Sequence, residues 1–188
     1  MDKMYLWILA LGGNLPSEEG SPEETLRAAL KMLDGEGMRL VDSSRLYETP
    51  CFPPGAGPDY INAAALVESP LDAGALLDRL HEIEAAFGRA RQQRWGMRTL
   101  DIDLIAGGAQ VLPDQDTYAA WRDLDLDTQM KATPEQLILP HPRMHERAFV
   151  LVPVHDVAPD WIHPVFGQSV AEMLAALPES ARKEVRPL

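Results

Sequence analysis

Apolar and polar positions along the chain follow two periods. Tyr5-Leu-Trp-Ile-Leu-Ala-Leu11 is a short continuous apolar run bounded by Gly12-Gly13-Asn14, the pattern of a buried strand ending in a turn. Ser21-Pro22-Glu23-Glu24 then supplies an N-cap, a proline at the first helical position and a capping-box acid. Leu26, Leu30 and Leu33 follow at helical spacing, and Gly35 and Gly37 end that helix. Residues 38–48 and Tyr60 to Glu68 predict a second and a third strand, joined by the proline-rich loop from Thr49 to Asp59. Ser69-Pro70 opens a second helix, with Ala73, Leu76, Leu77, Leu80, Ile83 and Phe87 on one stripe before Gly88. Thr99 to Ile105 alternates strictly and predicts a fourth strand.

The order strand, helix, strand, strand, helix, strand is the ferredoxin-like βαββαβ arrangement, an α+β sandwich of an antiparallel sheet with helices on one face. Two pieces fall outside it. Residues 113–137 carry Asp114, Asp116, Asp123, Asp125, Asp127 and Glu135 with weak periodicity, and read as an acidic surface insertion. Further on, Phe149-Val-Leu-Val152 predicts another strand, and Ser169-Val-Ala-Glu172 caps a last helix before a polar tail over 178–188. One domain spanning 1–188 is expected.

Charge narrows the function. The 188 residues are 46% apolar, enough for one real core, and 17 basic against 29 acidic residues give a net charge of −12. Such a balance argues against a general nucleic-acid or anionic-membrane binder. Yet Arg89, Arg91, Arg94 and Arg98 crowd into ten residues without an acid, and Arg143 and Arg147 follow. A local basic stripe on an acidic body points to a small anionic ligand. The single cysteine, Cys51, allows no internal disulfide and no paired-cysteine zinc spacing. No apolar run approaches the roughly 20 residues that span a bilayer, and the start lacks a basic flank with a cleavage-like site. A cytoplasmic monomer acting on small molecules, with no nucleic-acid or membrane partner, is the expectation.

The strongest chemical signal is Arg98-Thr-Leu-Asp-Ile-Asp-Leu-Ile105. In a strand Asp101 and Asp103 share one face, roughly 6.5 Å apart along the backbone. That spacing suits hard cations such as Mg²⁺, and two such ions can bridge carboxylates to a polyphosphate. A solvated polar face on an amphipathic strand is the plainer reading of the same pair. Upstream, the arginines of residues 89–98 offer planar, bidentate phosphate recognition, and Trp95 could stack on a base or clamp the loop. Alone, that run reads equally as a solvated loop pairing with the acidic body. Glu84 falls within an apolar stripe, so it either pairs with an arginine such as Arg91 or contacts a ligand's base or ribose.

The loop over 49–59 is longer than a hairpin needs, and Phe52, Tyr60 and Asn62 on its flanks suit a flat polar heterocycle, unless Tyr60 merely packs in the core. His141 and Arg147 read as phosphate contacts or as surface; with Pro142 between His141 and His145, zinc is disfavoured. No Walker loop, protein-kinase signature or Gly-x-Ser-x-Gly elbow is present.

Taken in order, Leu11-Gly-Gly-Asn-Leu15, Tyr47-Glu-Thr-Pro50, Pro58-Asp-Tyr-Ile-Asn62, Ile83-Glu84, Gly88-Arg-x-Arg91, Arg94 to Leu104, Leu139-Pro-His-Pro-Arg143 and Arg147-x-Phe-Val-Leu151 resemble the 6-hydroxymethyl-7,8-dihydropterin pyrophosphokinase family. The resemblance runs over roughly residues 5–165. It implies a ferredoxin-like fold and Mg²⁺-dependent transfer of diphosphate from ATP to the hydroxymethyl group of a reduced pterin, releasing AMP, in folate biosynthesis. Carried onto this chain, Asp101 and Asp103 would hold two Mg²⁺, with Asp101 also near the pterin hydroxyl. Arg89 and Arg98 would act on the phosphates. Arg91, Trp95, His141 and Arg147 would contribute to ATP binding or closure, and His81, Glu84 and Leu104 would line the nucleotide site. Thr49, Pro50, Phe52, Tyr60, Asn62 and Phe149 match the pterin pocket, where two aromatics would sandwich the ring.

The chain departs from the family pattern at Met97, where proline is usual, at Gly13, where serine is frequent, and in a long 113–137 segment to which the resemblance gives no role. Two rivals stand beside this reading: a non-catalytic module docking an acidic partner or RNA, and a different metal-dependent phosphotransferase.

Overall fold

The computed structural model describes residues 3–35, 37–51, 54–88 and 98–188. Strand β1 (Tyr5–Gly13) runs antiparallel to β4 (Tyr60–Ser69) on one side and to β5 (Asp101–Gly107) on the other. The sheet order is β5-β1-β4-β3-β6, where β3 is Tyr47–Thr49 and β6 is Arg186–Pro187, and β2 (Arg39–Ser43) also pairs with β4. With β2 and β3 counted as one interrupted strand alongside β4, the antiparallel sheet and its βαββαβ order are those of the ferredoxin-like fold.

The single strand expected over 38–48 is two strands. Ser44 is where they part: its backbone N–H still reaches Ala64 O at 2.9 Å, while its hydroxyl oxygen accepts the Ala64 N–H at 2.8 Å. A side chain thereby takes a rung of the ladder. Gly12 and Gly13, expected in a turn, continue β1 opposite Asn62 and Ile61. A Cβ on Gly13 would lie 2.4 Å from the Thr99 carbonyl oxygen, so close backbone approach explains that glycine.

Helix α1 (Pro22–Met32) starts on the expected capping box, Ser21 with Glu24. Helix α2 (Ala73–Ala86) starts later than Ser69-Pro70 indicates, because Asp72 is the residue whose side chain accepts the Ala75 N–H, at 2.9 Å. Ser69 instead donates its hydroxyl to Gly37 O. Both helices cover one face of the sheet, where Leu26, Ala29, Leu33, Leu76, Leu80 and Ile83 meet Trp7, Leu9, Leu11, Val67, Ile102 and Leu104.

The other face is covered too, so helices lie on both sides rather than one. Phe149 to Val152, expected as a strand, belongs to helix α5 (Ala148–Val157). Val150, Leu151, Val154 and Val157, among its buried positions, recur at helical spacing and pack on Ile8, Ala64, Ile105 and Ala106. A short apolar run carries no period of its own, and burial against a finished sheet decides it. Helix α6 (Val170–Ala176) begins on the Ser169–Glu172 capping box, as its sequence indicates.

Residues 178–188 are not a free polar tail. They form α7 (Glu179–Lys183), bury Val185, and add β6 to the sheet beside β3. The 113–137 segment holds α3 (Gln115–Arg122) and α4 (Leu126–Lys131), so several of its acids are structural: Asp114 and Asp125 are N-caps, each accepting a backbone N–H at 2.7 Å. It is also anchored, since Tyr118 is fully buried. Among the described residues no helix is long and apolar enough to cross a membrane.

Candidate active site

The register of the sheet places the site. Gly12 of β1 lies opposite Asp101 on one side and Asn62 on the other; Ala10 lies opposite Asp103 and Ala64. Cross-strand partners share a face, so Asp101, Asp103, Asn62 and Tyr60 all lie on the α5 side of the sheet. Glycine is required in this row, because a Cβ on Gly12 would sit 2.8 Å from Asn62 Oδ1. With nothing larger than glycine or alanine on β1 here, the face opens into a cavity of about 860 Å³.

One end of the cavity is lined by Thr49, Pro50, Tyr60, Asn62 and Phe149. The buried Asn62 donates from Nδ2 to Thr49 Oγ1 at 2.6 Å, which fixes its amide. Burial, then the nearby Cys51 and Asp101, push the Tyr60 phenol above its ordinary pKa, with Arg98 opposing. Phe149 is 41% exposed and lies under the Arg147 guanidinium, 5.6 Å from ring centre to Cζ.

The aspartates lie midway. Arg98 Nη1 contacts Asp101 Oδ1 at 3.1 Å. Burial lowers the Arg147 pKa below its ordinary value, with the charge of Asp103 opposing the shift. A β-bulge between Ile8 and Leu9 leaves Ile105 without a partner on β1, and its carbonyl accepts the His141 N–H at 2.7 Å. The bulge thus brings His141 beside the aspartates. Its Nδ1 accepts the Arg143 N–H at 3.1 Å, which leaves the proton on Nε2. Burial first, then the charges of Arg147, Arg143 and His145, push the His141 pKa down to about 3, so the ring is neutral near pH 7.

His81, Glu84 and Leu104 line the cavity as well. Glu84 is buried, and its Oε1 accepts the Ile102 N–H at 2.8 Å, so a backbone amide of β5 is a partner that neither sequence reading of this carboxylate included. The structure therefore gathers His81, Glu84, Arg98, Asp101, Asp103, Leu104, His141 and Arg147 with Thr49, Pro50, Tyr60, Asn62 and Phe149. Phe52, Arg89, Arg91 and Trp95 lie outside the described residues.

Sequence reasoning missed two contributors. Asn14 is buried; its Nδ2 donates to Pro58 O at 3.0 Å and its Oδ1 accepts the Arg98 N–H at 2.8 Å. It fastens the end of the proline loop to the residue that carries a site guanidinium. An asparagine directly after two glycines at a strand end was the available signal. The second is the 113–137 segment, whose Trp121 and Gln129 line the same cavity.

Comparison with known proteins identifies the family. Residues 8–159 match the model of the 7,8-dihydro-6-hydroxymethylpterin-pyrophosphokinase (HPPK) family. The chain is 36% identical to the 2-amino-4-hydroxy-6-hydroxymethyldihydropteridine pyrophosphokinase of Haemophilus influenzae, over 86% of each chain. It is 37% identical to that of Pseudomonas aeruginosa, over 90% of each, and 36% identical to that of Methylorubrum extorquens, over 94% of this chain and 96% of the other. Among solved structures, wild-type Plasmodium falciparum HPPK-DHPS with SDX-DHP is similar with a TM-score of 0.65 at 14% identity. That match covers 93% of this chain but 44% of the other, and an HPPK-DHPS in complex with substrates gives 0.64 at 13% identity, over 92% and 43%. These two likenesses concern the fold, and the chain spans less than half of either structure. The chain belongs to the 7,8-dihydro-6-hydroxymethylpterin-pyrophosphokinase family, and its activity is that of a pterin diphosphokinase in folate biosynthesis.

Proposed function

We propose that this cavity carries out the transfer through Asp101 and Asp103, with the reduced pterin at the Thr49–Asn62 end and ATP along Arg98, His141 and Arg147. The observation that carries this reading is the shared orientation of the two carboxylates toward one cavity, between an amide-and-aromatic end and a cationic one. Residues 1–188 act as one domain, a reading supported by two hydrophobic clusters built on opposite faces of the same sheet.

Mg²⁺ fits this donor set. Among the described residues no group of three or more His, Cys, Asp or Glu side chains could hold a metal, so the aspartate pair would supply only part of any coordination. Mg²⁺ takes oxygen ligands, retains water and completes its shell with substrate phosphate, so two carboxylates suffice where zinc would need more protein ligands. Asp101 and Asp103 would hold it, two ions being the expectation, and the bound metal would offset polyphosphate charge.

The chain's own residues then have limited covalent work. The pterin hydroxymethyl oxygen bonds to the β-phosphorus of ATP, the bond from that phosphorus to the α,β-bridging oxygen breaks, AMP leaves, and the hydroxyl proton passes to solvent. Arg98 exchanges Asp101 for phosphate oxygens. Arg147, held over Phe149 beside Asp103, keeps its charge at the same place. Neutral His141 donates from Nε2. Asp101 accepts the hydrogen bond of the pterin hydroxyl, and the fixed Asn62 amide reads the edge of the heterocycle. Positioning and charge compensation supply most of the acceleration in such transfers. Incubation with ATP, Mg²⁺ and 6-hydroxymethyl-7,8-dihydropterin should yield AMP, whereas ADP would mean transfer of a single phosphoryl group and would overturn the assignment.

A further inference from the structure

The 113–137 segment forms a wall of the cavity, with Trp121 from α3, Gln129 from α4 and residues 132–137 beyond them. Three contacts hold that wall in place. Tyr118 is hydrogen-bonded at 3.1 Å to Nε2 of His163, a fully buried ring stacked on Phe166 at 4.1 Å. Arg143 donates to Leu124 O, between the two helices, and to Glu146 Oε2 at 2.9 Å. Gln129 Nε2 donates to Trp121 O at 3.3 Å, closing α4 against the end of α3.

The chemistry of this wall differs from the rest of the cavity. The residues it contributes to the lining include Trp121, Gln129, Glu135 and Gln136, and no lysine or arginine. The described lining cations, Arg98, Arg143 and Arg147, all lie outside the segment. Arg143 is engaged by Leu124 O and Glu146, so Arg98, paired with Asp101, and Arg147 are the described guanidiniums left to hold phosphates at the aspartate side of the cavity. A partly exposed indole and an exposed carboxylate instead match a purine face and ribose hydroxyls.

We infer that the 113–137 segment is a nucleoside-recognition wall, in which Trp121 stacks on the base of ATP and Glu135 accepts hydrogen bonds from its ribose hydroxyls. The inference rests on the nucleotide placement above and adds two specificity residues to it.

Steady-state kinetics test it. Trp121→Ala should raise KM for ATP about tenfold, the scale of one lost stacking contact, and leave KM for the pterin within about twofold. Trp121→Phe, which keeps a flat ring, should recover most of that loss. Glu135→Gln should raise KM for ATP but not for 2′,3′-dideoxy-ATP, a difference that a purely structural role would not produce. An unchanged KM for ATP in folded Trp121→Ala, or equal rises for both substrates, would overturn the inference. Should Trp121→Ala fail to fold, wild-type protein labelled with ¹⁵N-tryptophan replaces it, with the Trp121 indole signal identified through Trp121→Phe. That signal should shift with a non-hydrolysable ATP analogue and stay in place with pterin alone; no shift with the analogue overturns the inference. Failure of the nucleotide placement is distinct, because Arg98→Ala and Arg147→Ala would then leave KM for ATP unchanged.

Discussion

The carboxylate of Glu84 accepts the backbone N–H of Ile102 at 2.8 Å, across the seam between α2 and β5. Ile102 stands between Asp101 and Asp103, on the outer strand of the sheet among the described residues. The helix thereby fixes the strand where its two carboxylates emerge. Charge-assisted hydrogen bonds of this kind contribute about 1.5–3 kcal/mol. Glu84→Ala should cost about that much stability and lower kcat more than it changes KM for the pterin, while Glu84→Gln, which keeps an acceptor, should lose less of both. Urea unfolding alongside initial rates decides; an Ala variant as stable as wild type would remove this role.

Asp101→Asn and Asp103→Asn should each abolish measurable turnover while the protein still folds, since both side chains are accessible from the cavity and neither belongs to a hydrophobic cluster. Circular dichroism checks the fold, and AMP release checks the activity. Normal turnover in either variant would dispose of the metal assignment.

Arg98 and Asn14 should separate activity from stability. The Arg98–Asp101 pair is half exposed on the arginine side, and such pairs contribute at most about 1 kcal/mol. Arg98→Ala should therefore shift Tm by no more than about 4 °C and still lose most activity. Asn14→Ala should do the reverse in stability, because it leaves the Arg98 N–H and the Pro58 carbonyl without that side chain. Equal Tm losses in the two variants would contradict the division.

These contrasts also explain how much of the molecule was readable beforehand. β1, the two capping boxes and the Asp101–Asp103 alternation were legible because each is local: a buried run, a cap three residues from its partner, a period of two. Phe149 to Val152 was not, since its helical state depends on a sheet face assembled from distant segments. The same holds for the break at Ser44, set by Ala64, and for Glu84, whose backbone partner has no sequence signature. The 113–137 segment looked like surface because Asp114 and Asp125 spend their charge on helix caps and only Tyr118 marks it as anchored.

That anchor should make the fold acid-sensitive. His163 is fully buried, and burial, then the charges of His145 and Arg122, push its pKa down to about 4 from an ordinary value near 6.5. Its neighbours from other elements are Tyr118 and Arg122 of α3, His145 and Phe166. The unfolded chain binds a proton at this ring below about pH 6.5 while the folded chain does not until about pH 4. Stability from the neutral ring is thus complete above pH 6.5 and falls as pH drops toward 4, by up to about 1.4 kcal/mol per pH unit for one proton. His141, with its pKa near 3, adds the same sign over a slightly wider window. In urea unfolding between pH 6.5 and 5, above most of the carboxylate titration, His163→Asn should be less stable than wild type at pH 7.5 yet lose less on acidification. Parallel slopes for the two proteins would mean that His163 does not carry this pH dependence.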